Sequence, residues 1–378
     1  MIVDTLVLIA FWGSLGVVAF TYAGYPLWVL AWGRLFPNPV RKRAYSPRVT
    51  ALLAVYNAGE SAVSKVENLL ALDYPPESFD IVVACDGCTD GTADALRRIA
   101  SPRLRVVEFP QRRGKAACLA DLANLAKGEI LLMVDVRQRL ERDALARLTA
   151  NFADPDIGAV SGELCFTDEE GGFAAKVGAY WRYEKMIRNA EARSGSVVGV
   201  TGALYAIRRD LYVPLPAGTV LDDVLTPMNV VRDGYRVVFE SGAVAWDRPS
   251  TSSAQERVRK VRTLAGNYQA VAIAPWLVIP FQNPLWFRFV SHKLLRLMVP
   301  WLLCVLVVSS AILSFSHPLY LACLIAGLGG LALALAASWL PALSEWMPVR
   351  LMSTFLHMNF YAGQALVAYV RNPRLHLW

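Results

Sequence analysis

Twenty-nine consecutive residues near the N-terminus, from Thr5 to Gly33, carry no charged side chain. A helix needs only about 20 apolar residues to cross a bilayer, whereas the apolar core of a signal peptide is about 7–15 residues long. The run therefore predicts a retained membrane span within residues 1–36. Arg41, Lys42 and Arg43 follow it. Because basic residues favour the cytoplasmic side, the chain after this span is expected in the cytoplasm and the N-terminus outside.

A second apolar region occupies the C-terminal part of the chain. Residues 297–344 carry no charge apart from His317, and a break at 316–318 divides them into two predicted spans. A third apolar run covers residues 351–370. If it crossed as well, the basic C-terminus would lie outside, which opposes the charge rule. Two possibilities therefore stay open: the segment crosses the membrane, or it is re-entrant or interfacial. Residues 293–378 thus form a predicted membrane region with two spans and this third segment.

Residues 268–292 lie between the central region and these spans, and in them aromatic residues alternate with prolines. Trp276, Phe281 and Trp286 are examples of the aromatic residues. Aromatic side chains favour the headgroup layer of a membrane. The segment predicts short amphipathic helices lying on the membrane, with a simple apolar linker as the alternative.

Histidine is absent from the central region, because all four histidines lie at or after position 292. A Ser-His-Asp triad and a zinc site with histidine ligands are therefore excluded there, and acid–base chemistry must use Asp, Glu, Lys or Tyr. The net charge is +7. Its basic residues are scattered, however, and no RNA-binding signature occurs, so nucleic acid is not an expected partner.

The sequence Cys85-Asp-Gly-Cys88 contains a CxxC pair. Such a pair can be redox-active or can form half of a zinc site, but no second pair or nearby histidine completes it. The alternative is that Cys85 ends a strand and Cys88 fills a small-residue loop position.

Apolar strand-like runs alternate with helical patterns between residues 37 and 267. Strands are predicted at 49–55, 80–85, 104–109, 130–134, 157–164, 200–207 and 235–246, and helices at 60–72, 91–100, 114–127, 174–192 and 222–233. This alternation predicts an α/β domain with a largely parallel sheet. Asp86 and Asp135 follow two of the strands, at the carboxyl ends where such sheets bind ligands. Dinucleotide and P-loop motifs are both missing, so carboxylates and cations would have to hold any nucleotide.

Six short motifs occur in an order that resembles a known family. They are Val55-Tyr-Asn57, Cys85-Asp-Gly-Cys-Thr-Asp-Gly-Thr92, Gly114-Lys115, Val134-Asp135, Leu221-Asp-Asp223 and Gln255-Glu-Arg-Val-Arg-Lys260. Together they resemble the membrane-embedded family-2 glycosyltransferases, such as the catalytic subunits of cellulose, poly-N-acetylglucosamine and hyaluronan synthases. The resemblance implies a GT-A fold, a Rossmann-like domain that binds a nucleotide sugar, with transmembrane helices on both sides of it.

The resemblance also implies residues that bind the donor. Tyr56 and Asp86 would contact it, with Asp86 reaching the base or ribose, and Lys115 would face the nucleotide; a turn-forming aspartate and a surface lysine are the alternatives. Asp135 takes the first place of the Asp-x-Asp metal motif, but Arg137 takes the last. Asp135 would then hold Mg²⁺ or Mn²⁺, and Arg137 would either neutralise part of the phosphate charge or form a salt bridge to a neighbour such as Glu141.

Catalytic and acceptor residues follow from the later motifs. Asp223 would be the general base that removes the proton of the acceptor hydroxyl, with Asp222 positioning it or contacting the acceptor; both also suit the N-terminus of a helix. Gly202 and Ala203 would line the acceptor site.

The last motif departs from the family's Gln-x-x-Arg-Trp. Arg259 is kept and would grip the diphosphate, whereas Lys260 replaces the tryptophan near the acceptor, which weakens the case for a processive enzyme. A basic helix facing anionic lipid is the alternative.

The resemblance predicts an inverting transferase in a bacterial-type inner membrane, a multi-pass protein with its catalytic domain in the cytoplasm. It would pass a sugar, expected from a UDP-sugar, to a lipid-linked or polysaccharide acceptor. Four or fewer spans favour a single or limited transfer, or assembly with further copies or an export partner, over a self-contained secretion pore. A processive synthase, a nucleotidyltransferase and a non-catalytic membrane partner are the alternatives.

Overall fold

The computed structural model of the chain describes residues 2–167, 173–248, 253–340, 343 and 346–372. These residues form two compact units. The helical unit consists of Met1–Trp28, Ser252–Tyr268 and Phe287–Asn372, and the α/β unit consists mainly of Val29–Thr251 and Gln269–Trp286. Two helices, Tyr25–Leu35 and Ser253–Ile273, contribute residues to both units.

The described helices are α1 Ile2–Ala19, α2 Tyr25–Leu35, α3 Gly59–Leu70, α4 Thr92–Arg97, α5 Lys115–Leu125, α6 Ala144–Ala150, α7 Phe173–Arg193, α8 Asp222–Arg232, α9 Ser253–Ile273, α10 Trp286–Phe289, α11 Leu295–Leu313, α12 Pro318–Trp339 and α13 Met347–Arg371. A π-helical turn joins α1 to α2, and another joins α10 to α11. Short 3₁₀ turns, including Pro275–Val278, connect some of the other elements.

Three helical stretches of the described chain are long and apolar enough to cross a membrane. They are Asp4–Leu35, Trp286–Leu313 and Pro318–Ala337, and they match the three spans predicted from the sequence. Helix α13 contains the third C-terminal apolar run but is not one of these three. Because a continuous helix already begins at Trp286, the last residues of the segment predicted to be interfacial lie in the second candidate span.

The helical unit is held by apolar contacts between α1 and the C-terminal helices. Phe11 is 2% exposed and packs with Leu313 and Tyr320. The Phe11 and Tyr320 rings meet edge to face, with centroids 4.9 Å apart. Such aromatic pairs give a preferred geometry in addition to buried area, so they fix the way in which these helices pack.

An eight-stranded mixed sheet forms the centre of the α/β unit. Its strands are β1 Val49–Val55, β2 Phe79–Asp86, β3 Leu104–Phe109, β4 Ile130–Val134, β5 Arg139–Leu140, β6 Ile157–Phe166, β7 Leu204–Arg208 and β8 Arg236–Asp247, in the spatial order β3-β2-β1-β4-β7-β6-β8-β5. The first four in this order are parallel, whereas β7 runs antiparallel to both of its neighbours. The predicted parallel half is therefore confirmed, and the antiparallel β7 is an addition to it.

Alternate residues of the buried strands face opposite layers of helices. Leu53 packs with residues of α3, α4 and α6, whereas Leu52 packs with residues of α5 and α8. All seven residues of β1 are buried, which explains why this strand is continuously apolar. With both faces covered, the open positions are the ends of the strands.

Candidate active site

Three predicted donor residues lie at the same edge of the sheet. Tyr56 follows β1, Asp86 ends β2, and Asp135 follows β4. These strands are parallel neighbours, and Val55 is in register with Cys85. Their carboxyl ends therefore meet where open α/β sheets bind ligands.

The carboxylate of Asp86 holds the loop that leads into α5. It is 4% exposed and accepts hydrogen bonds from the backbone N–H of Arg113 at 2.9 Å and of Gly114 at 2.7 Å. Gly87 permits this approach, because a Cβ at that position would lie 2.7 Å from the Arg112 nitrogen. Charge-assisted bonds of this kind are strong, so Asp86 fixes the loop and, through it, the start of α5.

Lys115, the first residue of α5, bridges two of the predicted acidic residues. Its Nζ lies 2.9 Å from Asp135 Oδ1 and 3.0 Å from Asp222 Oδ2. Burial opposes the charged form, but the carboxylates of Asp135 and Asp222 raise the pKa of Lys115 well above its ordinary value. The Lys115 ammonium therefore lies between the carboxylates of Asp135 and Asp222, which are far apart in the sequence.

Gly202 lies where these groups converge with Asp223. A Cβ at Gly202 would be 3.5 Å from Asp135 Oδ2, 3.6 Å from Lys115 Nζ and 3.9 Å from Asp223 Cβ. Asp222 and Asp223 form the first turn of α8, where acidic side chains are favourable. The Val200 N–H donates to the Asp223 carbonyl at 2.9 Å, which ties the Gly202 segment to α8. Predicted catalytic, donor and acceptor residues thus share one site.

Tyr205 lies beneath the ion pairs, a position that the motifs did not predict. It is fully buried, and its hydroxyl has no hydrogen-bond partner among the described residues. Burial, followed by the charge of Asp222, raises the pKa of Tyr205 well above its ordinary value, so the phenol stays protonated. Its place three residues after Gly202 is the only sequence signal that could have identified it.

The ring of Tyr56 is covered by a cation from the Asp86-bound loop. The guanidinium carbon of Arg112 lies 3.8 Å from the ring centroid, well within the range of a cation–π contact. The side chains of Tyr56 and Arg112 therefore form one continuous surface at the end of β1. Arg112 was not predicted, and only its position in the loop before Gly114 points to it.

Arg137 forms a salt bridge, but not with the predicted neighbour. Its Nη2 contacts the carboxylate of Asp247 at the end of β8, and Gln138 donates to the same oxygen at 2.9 Å. Asp247 is 2% exposed. Glu141 instead accepts a hydrogen bond from Trp246. The salt bridge given as the alternative is therefore present, but its partner is Asp247, 110 positions away, and not Glu141. The predicted role of Arg137 in donor binding stays a prediction.

A buried lysine, Lys65 of α3, supports the segment after Asp135. It is 2% exposed, and its Nζ donates to the backbone carbonyl of Gln138 at 2.7 Å. Burial lowers the pKa of Lys65 to about 7, and the charge of Asp135 opposes this shift only in part. Lys65 shares the buried face of α3 with Val66 and Leu69, and a lysine on that apolar face was the available sequence signal.

At this edge of the sheet, the side chain suited to bind a divalent metal is that of Asp135. No group of three or more His, Cys, Asp or Glu side chains within the described ranges is placed to hold a metal ion. Asp135 has a carboxylate that is 37% exposed, whereas the second motif position holds the Arg137 cation. Hard cations prefer several oxygen ligands. The residues therefore fit a metal only if Asp135 shares it with phosphate oxygens of the donor.

The remaining predicted residues fall into two groups. Ala203 is 4% exposed and packs in the core, so any contact with the acceptor would be made by its backbone. Arg259 and Lys260 lie on α9, in the part that belongs to the helical unit. Lys260 pairs with Glu256 at 3.6 Å. The roles of Arg259 and Lys260 remain predictions.

The CxxC pair has the structural role given as its alternative. Cys85 is a buried residue of β2, and Cys88 Sγ lies 3.6 Å from the Val55 carbonyl. Burial, followed by the neighbouring Cys88, raises the pKa of Cys85 to about 12. A thiol with such a pKa is a poor nucleophile and a poor metal ligand at neutral pH.

Comparison with known sequences gives a consistent result. A family described as "Glycosyltransferase like family 2" matches residues 47–266. An N-acetylglucosaminyltransferase of Azorhizobium caulinodans is 26% identical over 247 residues, covering 61% of this chain and 62% of the relative. A poly-β-1,6-N-acetyl-D-glucosamine synthase of Staphylococcus aureus is 25% identical over 211 residues, covering 52% of this chain and 49% of the relative. The chain thus matches about half to three-fifths of the length of these curated relatives.

Among solved structures, the chain is similar to a mannosyltransferase from Pyrobaculum calidifontis in complex with GDP-Man and Mn²⁺. The TM-score is 0.72 at 25% sequence identity. The similarity covers 95% of this chain and 98% of the mannosyltransferase. It therefore extends beyond the sheet to nearly the whole length of both chains.

Proposed function

The chain belongs to glycosyltransferase-like family 2, and from this we propose that it transfers a sugar, with inversion, from a nucleotide-sugar donor to a membrane-associated acceptor. The family, the enzyme class and the GT-A fold predicted from the sequence are confirmed. The single observation that supports the proposed reaction most is the convergence of Lys115, Asp135, Asp222 and Asp223 around Gly202.

In the proposed reaction, Asp223 accepts the proton of the acceptor hydroxyl as its oxygen attacks the anomeric carbon. The new C–O bond forms while the bond from the anomeric carbon to the diphosphate oxygen breaks, and the nucleoside diphosphate leaves with that electron pair. Attack opposite the leaving group inverts the configuration. Asp222, anchored by Lys115, holds the start of α8 in place, and the Lys115 ammonium lies where the charge of the diphosphate develops.

Donor binding is assigned to the edge formed by β1, β2 and β4. Asp86 acts by holding the loop before α5, which its buried position and its two backbone hydrogen bonds support. Tyr56 supplies a ring surface for the nucleoside. Arg137 contributes positive charge near Asp135 while it remains paired with Asp247, and Arg259 is proposed to grip the diphosphate.

A metal fits this scheme in one position. Asp135 is the residue that would hold Mg²⁺ or Mn²⁺, and a bound cation would neutralise charge on the diphosphate. The Mn²⁺ in the similar mannosyltransferase supports this use of the site. Because Arg137 replaces the second carboxylate, the chain's own contribution to metal affinity is expected to be weak.

The donor and the extent of transfer are proposed from the relatives. The names of the curated relatives favour N-acetylglucosamine, which agrees with the UDP-sugar predicted from the sequence, whereas the solved mannosyltransferase was captured with GDP-Man. A single or limited transfer to a lipid-linked acceptor is favoured over processive synthesis, because Lys260 takes the place of the motif's tryptophan and the described residues contain three candidate spans. Gly202, the backbone of Ala203 and Lys260 would then contact the acceptor.

Localisation is proposed from the candidate spans. The three apolar helices support a multi-pass protein of a bacterial-type inner membrane, and the basic residues after the first span support a cytoplasmic catalytic unit. A second copy of the chain or an export partner would be needed only if transfer were processive.

The decisive experiment uses the purified full chain in lipid with a panel that includes UDP-N-acetylglucosamine, UDP-glucose and GDP-mannose, with and without EDTA. Release of nucleoside diphosphate identifies the donor and measures the metal requirement. The Asp223→Asn variant should lose transfer by roughly 10²–10⁴-fold while still binding donor, because only the general base is removed. Wild-type rates in this variant would contradict the mechanism.

The alternatives predicted from the sequence give different results in the same assay. A non-catalytic membrane partner would release no nucleoside diphosphate from any donor. A nucleotidyltransferase would release pyrophosphate from a nucleoside triphosphate and a sugar phosphate. A processive synthase would give products whose length increases with time.

A further inference from the structure

A cleft unrelated to the sugar-transfer residues lies within the α/β unit, beside the last turns of α2. Its volume is about 580 Å³, within the usual range for a ligand site. The walls are the last turns of α2, the segment that follows it, the end of α7 and the first half of β8. The charged side chains that line it are Arg34, Lys42 and Arg193, and none of its described lining residues is acidic.

Close backbone contacts fix the walls of this cleft. Helix α2 touches α7 at Gly33, where a Cβ would lie 2.9 Å from the Ala190 carbonyl oxygen. The Asn38 N–H donates to the Arg193 carbonyl at 2.7 Å, and Arg236 Nη2 donates to the Asn38 carbonyl at 2.7 Å. The segment after the span is therefore bound on both sides, and the cleft is part of the fold.

Two of the three cations in the cleft have no counter-charge among the described residues. Lys42 pairs with Glu240 at 2.5 Å. The guanidinium groups of Arg34 and Arg193 have no hydrogen-bond or ion-pair partner in the described part of the chain, and both residues are exposed. Two guanidiniums that line one cavity suit an anion that can accept several hydrogen bonds, such as a phosphate or a carboxylate.

The apolar part of the cleft favours a lipid over a soluble phosphate. Leu30 and Met186 line it beside the two arginines, and Leu30 belongs to the candidate span Asp4–Leu35. The cavity thus combines a hydrocarbon surface with a phosphate site at the end of a membrane helix. Basic pockets at the cytoplasmic ends of membrane helices bind anionic headgroups.

The cleft is also separate from the sugar-transfer residues. It borders β8, whereas Asp135 follows β4, and two strands, β7 and β6, lie between these. Neighbouring strands are about 4.8 Å apart, which places β8 roughly 14 Å from β4. A phosphate held here would therefore not belong to the donor. We propose that this cleft binds the phosphate headgroup of an anionic phospholipid of the surrounding membrane.

The test measures lipid binding to the purified full chain in detergent by native mass spectrometry, with phosphatidylglycerol, phosphatidylcholine or inorganic phosphate as the probe. The Arg34→Gln/Arg193→Gln variant removes both free cations. The matched control is Arg98→Gln/Arg105→Gln. It removes two exposed arginines that have no side-chain partner among the described residues and lie near the opposite edge of the sheet, at the end of α4 and on β3.

We expect phosphatidylglycerol affinity to fall roughly 30-fold in the Arg34/Arg193 variant, because each of the two arginines should contribute about tenfold or less to the affinity. The affinity of the control should stay unchanged. Phosphatidylcholine should bind weakly to all three proteins. Equal losses in both variants, or no loss in the first, would overturn the proposal. Inorganic phosphate bound as tightly as phosphatidylglycerol would show that the acyl chains contribute nothing and would overturn the lipid assignment.

Sugar transfer in detergent reports on folding, because neither arginine lies among the transfer residues. If the glutamine variant does not fold, Arg34→Lys/Arg193→Lys replaces it. This variant keeps the charge and removes the planar two-pronged donor, so a several-fold loss of phosphatidylglycerol affinity is expected. No loss would contradict phosphate recognition by these residues.

Discussion

Lys115 Nζ lies 2.9 Å from Asp135 Oδ1, although helix α5 and strand β4 separate the two residues along the chain. The same ammonium reaches Asp222, so one cation joins the β4 edge to the start of α8. This bridge places the predicted donor residue Asp135 and the predicted catalytic pair in one site. Removal of the cation should therefore affect binding of the diphosphate and the alignment of α8 together.

Substitution of Lys115 by methionine tests this bridge. Asp135 and Asp222 would then face each other without the intervening cation, and the diphosphate would lose a charged donor. Hydrogen bonds to charged groups contribute about 1.5–3 kcal/mol, so kcat/KM should fall by roughly 10–10²-fold. The measurement is steady-state release of nucleoside diphosphate. Lys127→Met, which changes an exposed lysine of the same unit, is the control and should retain wild-type kinetics.

Substitution of Gly202 by alanine tests whether the space beside Asp135, Lys115 and Asp223 is used by substrate. The added Cβ would make ordinary contacts of 3.5–3.9 Å with these residues, so the melting temperature should stay the same or rise slightly. A methyl group in a substrate pocket costs about 1–3 kcal/mol in fit, which predicts a fall in kcat/KM of roughly tenfold or more.

The control for Gly202 is Gly363→Ala, because a Cβ at Gly363 would meet nothing within 4 Å. Full activity of Gly202→Ala, together with an unchanged melting temperature, would show that substrate does not occupy the space at Gly202. A lowered melting temperature in the same variant would contradict the structural description of that position.

Several parts of this molecule follow directly from its sequence. The predicted strands 104–109 and 130–134 have the same bounds as β3 and β4, because each is a short run rich in apolar residues and closed by polar or turn residues. Asp86 and Asp135 were located because the carboxyl end of a parallel strand is a local feature with a known use. The apolar spans were equally direct, since length and hydropathy alone predict them.

Other parts depend on contacts that the local sequence does not encode. A salt bridge from Arg137 to a neighbour such as Glu141 was one alternative, but Arg137 pairs with Asp247, which lies 110 positions away. The antiparallel insertion of β7 between β4 and β6 is equally non-local. The hydrogen bonds from the N–H groups of residues 113 and 114 to Asp86 are non-local as well. The predicted contact of Asp86 with the base or ribose of the donor stays a prediction.

Substitution of Asp86 by asparagine should loosen the loop before α5. Asparagine offers one carbonyl oxygen, so the N–H of either Arg113 or Gly114 loses its acceptor and faces an NH₂ group instead. The loss of a charge-assisted bond of this type costs about 2 kcal/mol, which corresponds to a fall in melting temperature of roughly 4–8 °C. Donor affinity should fall as well, because Lys115 follows this loop.

Asp94→Asn is the control for Asp86. Asp94 is an exposed residue of α4 that pairs with Arg97 on the surface, where such pairs contribute little. Thermal unfolding and donor titration of both variants distinguish the two positions. If Asp86→Asn melts at the wild-type temperature, the two backbone hydrogen bonds do not stabilise the loop.

Lys65 gives the α/β unit a pH dependence that can be measured without substrate. Burial lowers its pKa in the folded protein from 10.5 to about 7, so the unfolded chain binds more protons than the folded chain between these values. Stability should therefore rise with pH from about 7 to 10 and lose this contribution below pH 7. The neutral amine still donates to the Gln138 carbonyl, so the hydrogen bond survives deprotonation.

The Lys65→Met variant should lose that rise, because it has no group that titrates in the buried position. Its unfolding free energy should be lower than that of the wild type at high pH, since the Gln138 carbonyl loses its donor, and the difference should shrink toward pH 7, where the wild type must bury an ammonium. Thermal unfolding of the full chain at several pH values between 7 and 10 measures both effects. Lys127→Met, which changes an exposed lysine, should follow the wild-type curve of stability against pH. If the Lys65→Met curve runs parallel to the wild-type curve, the pKa of Lys65 is not lowered in the folded protein.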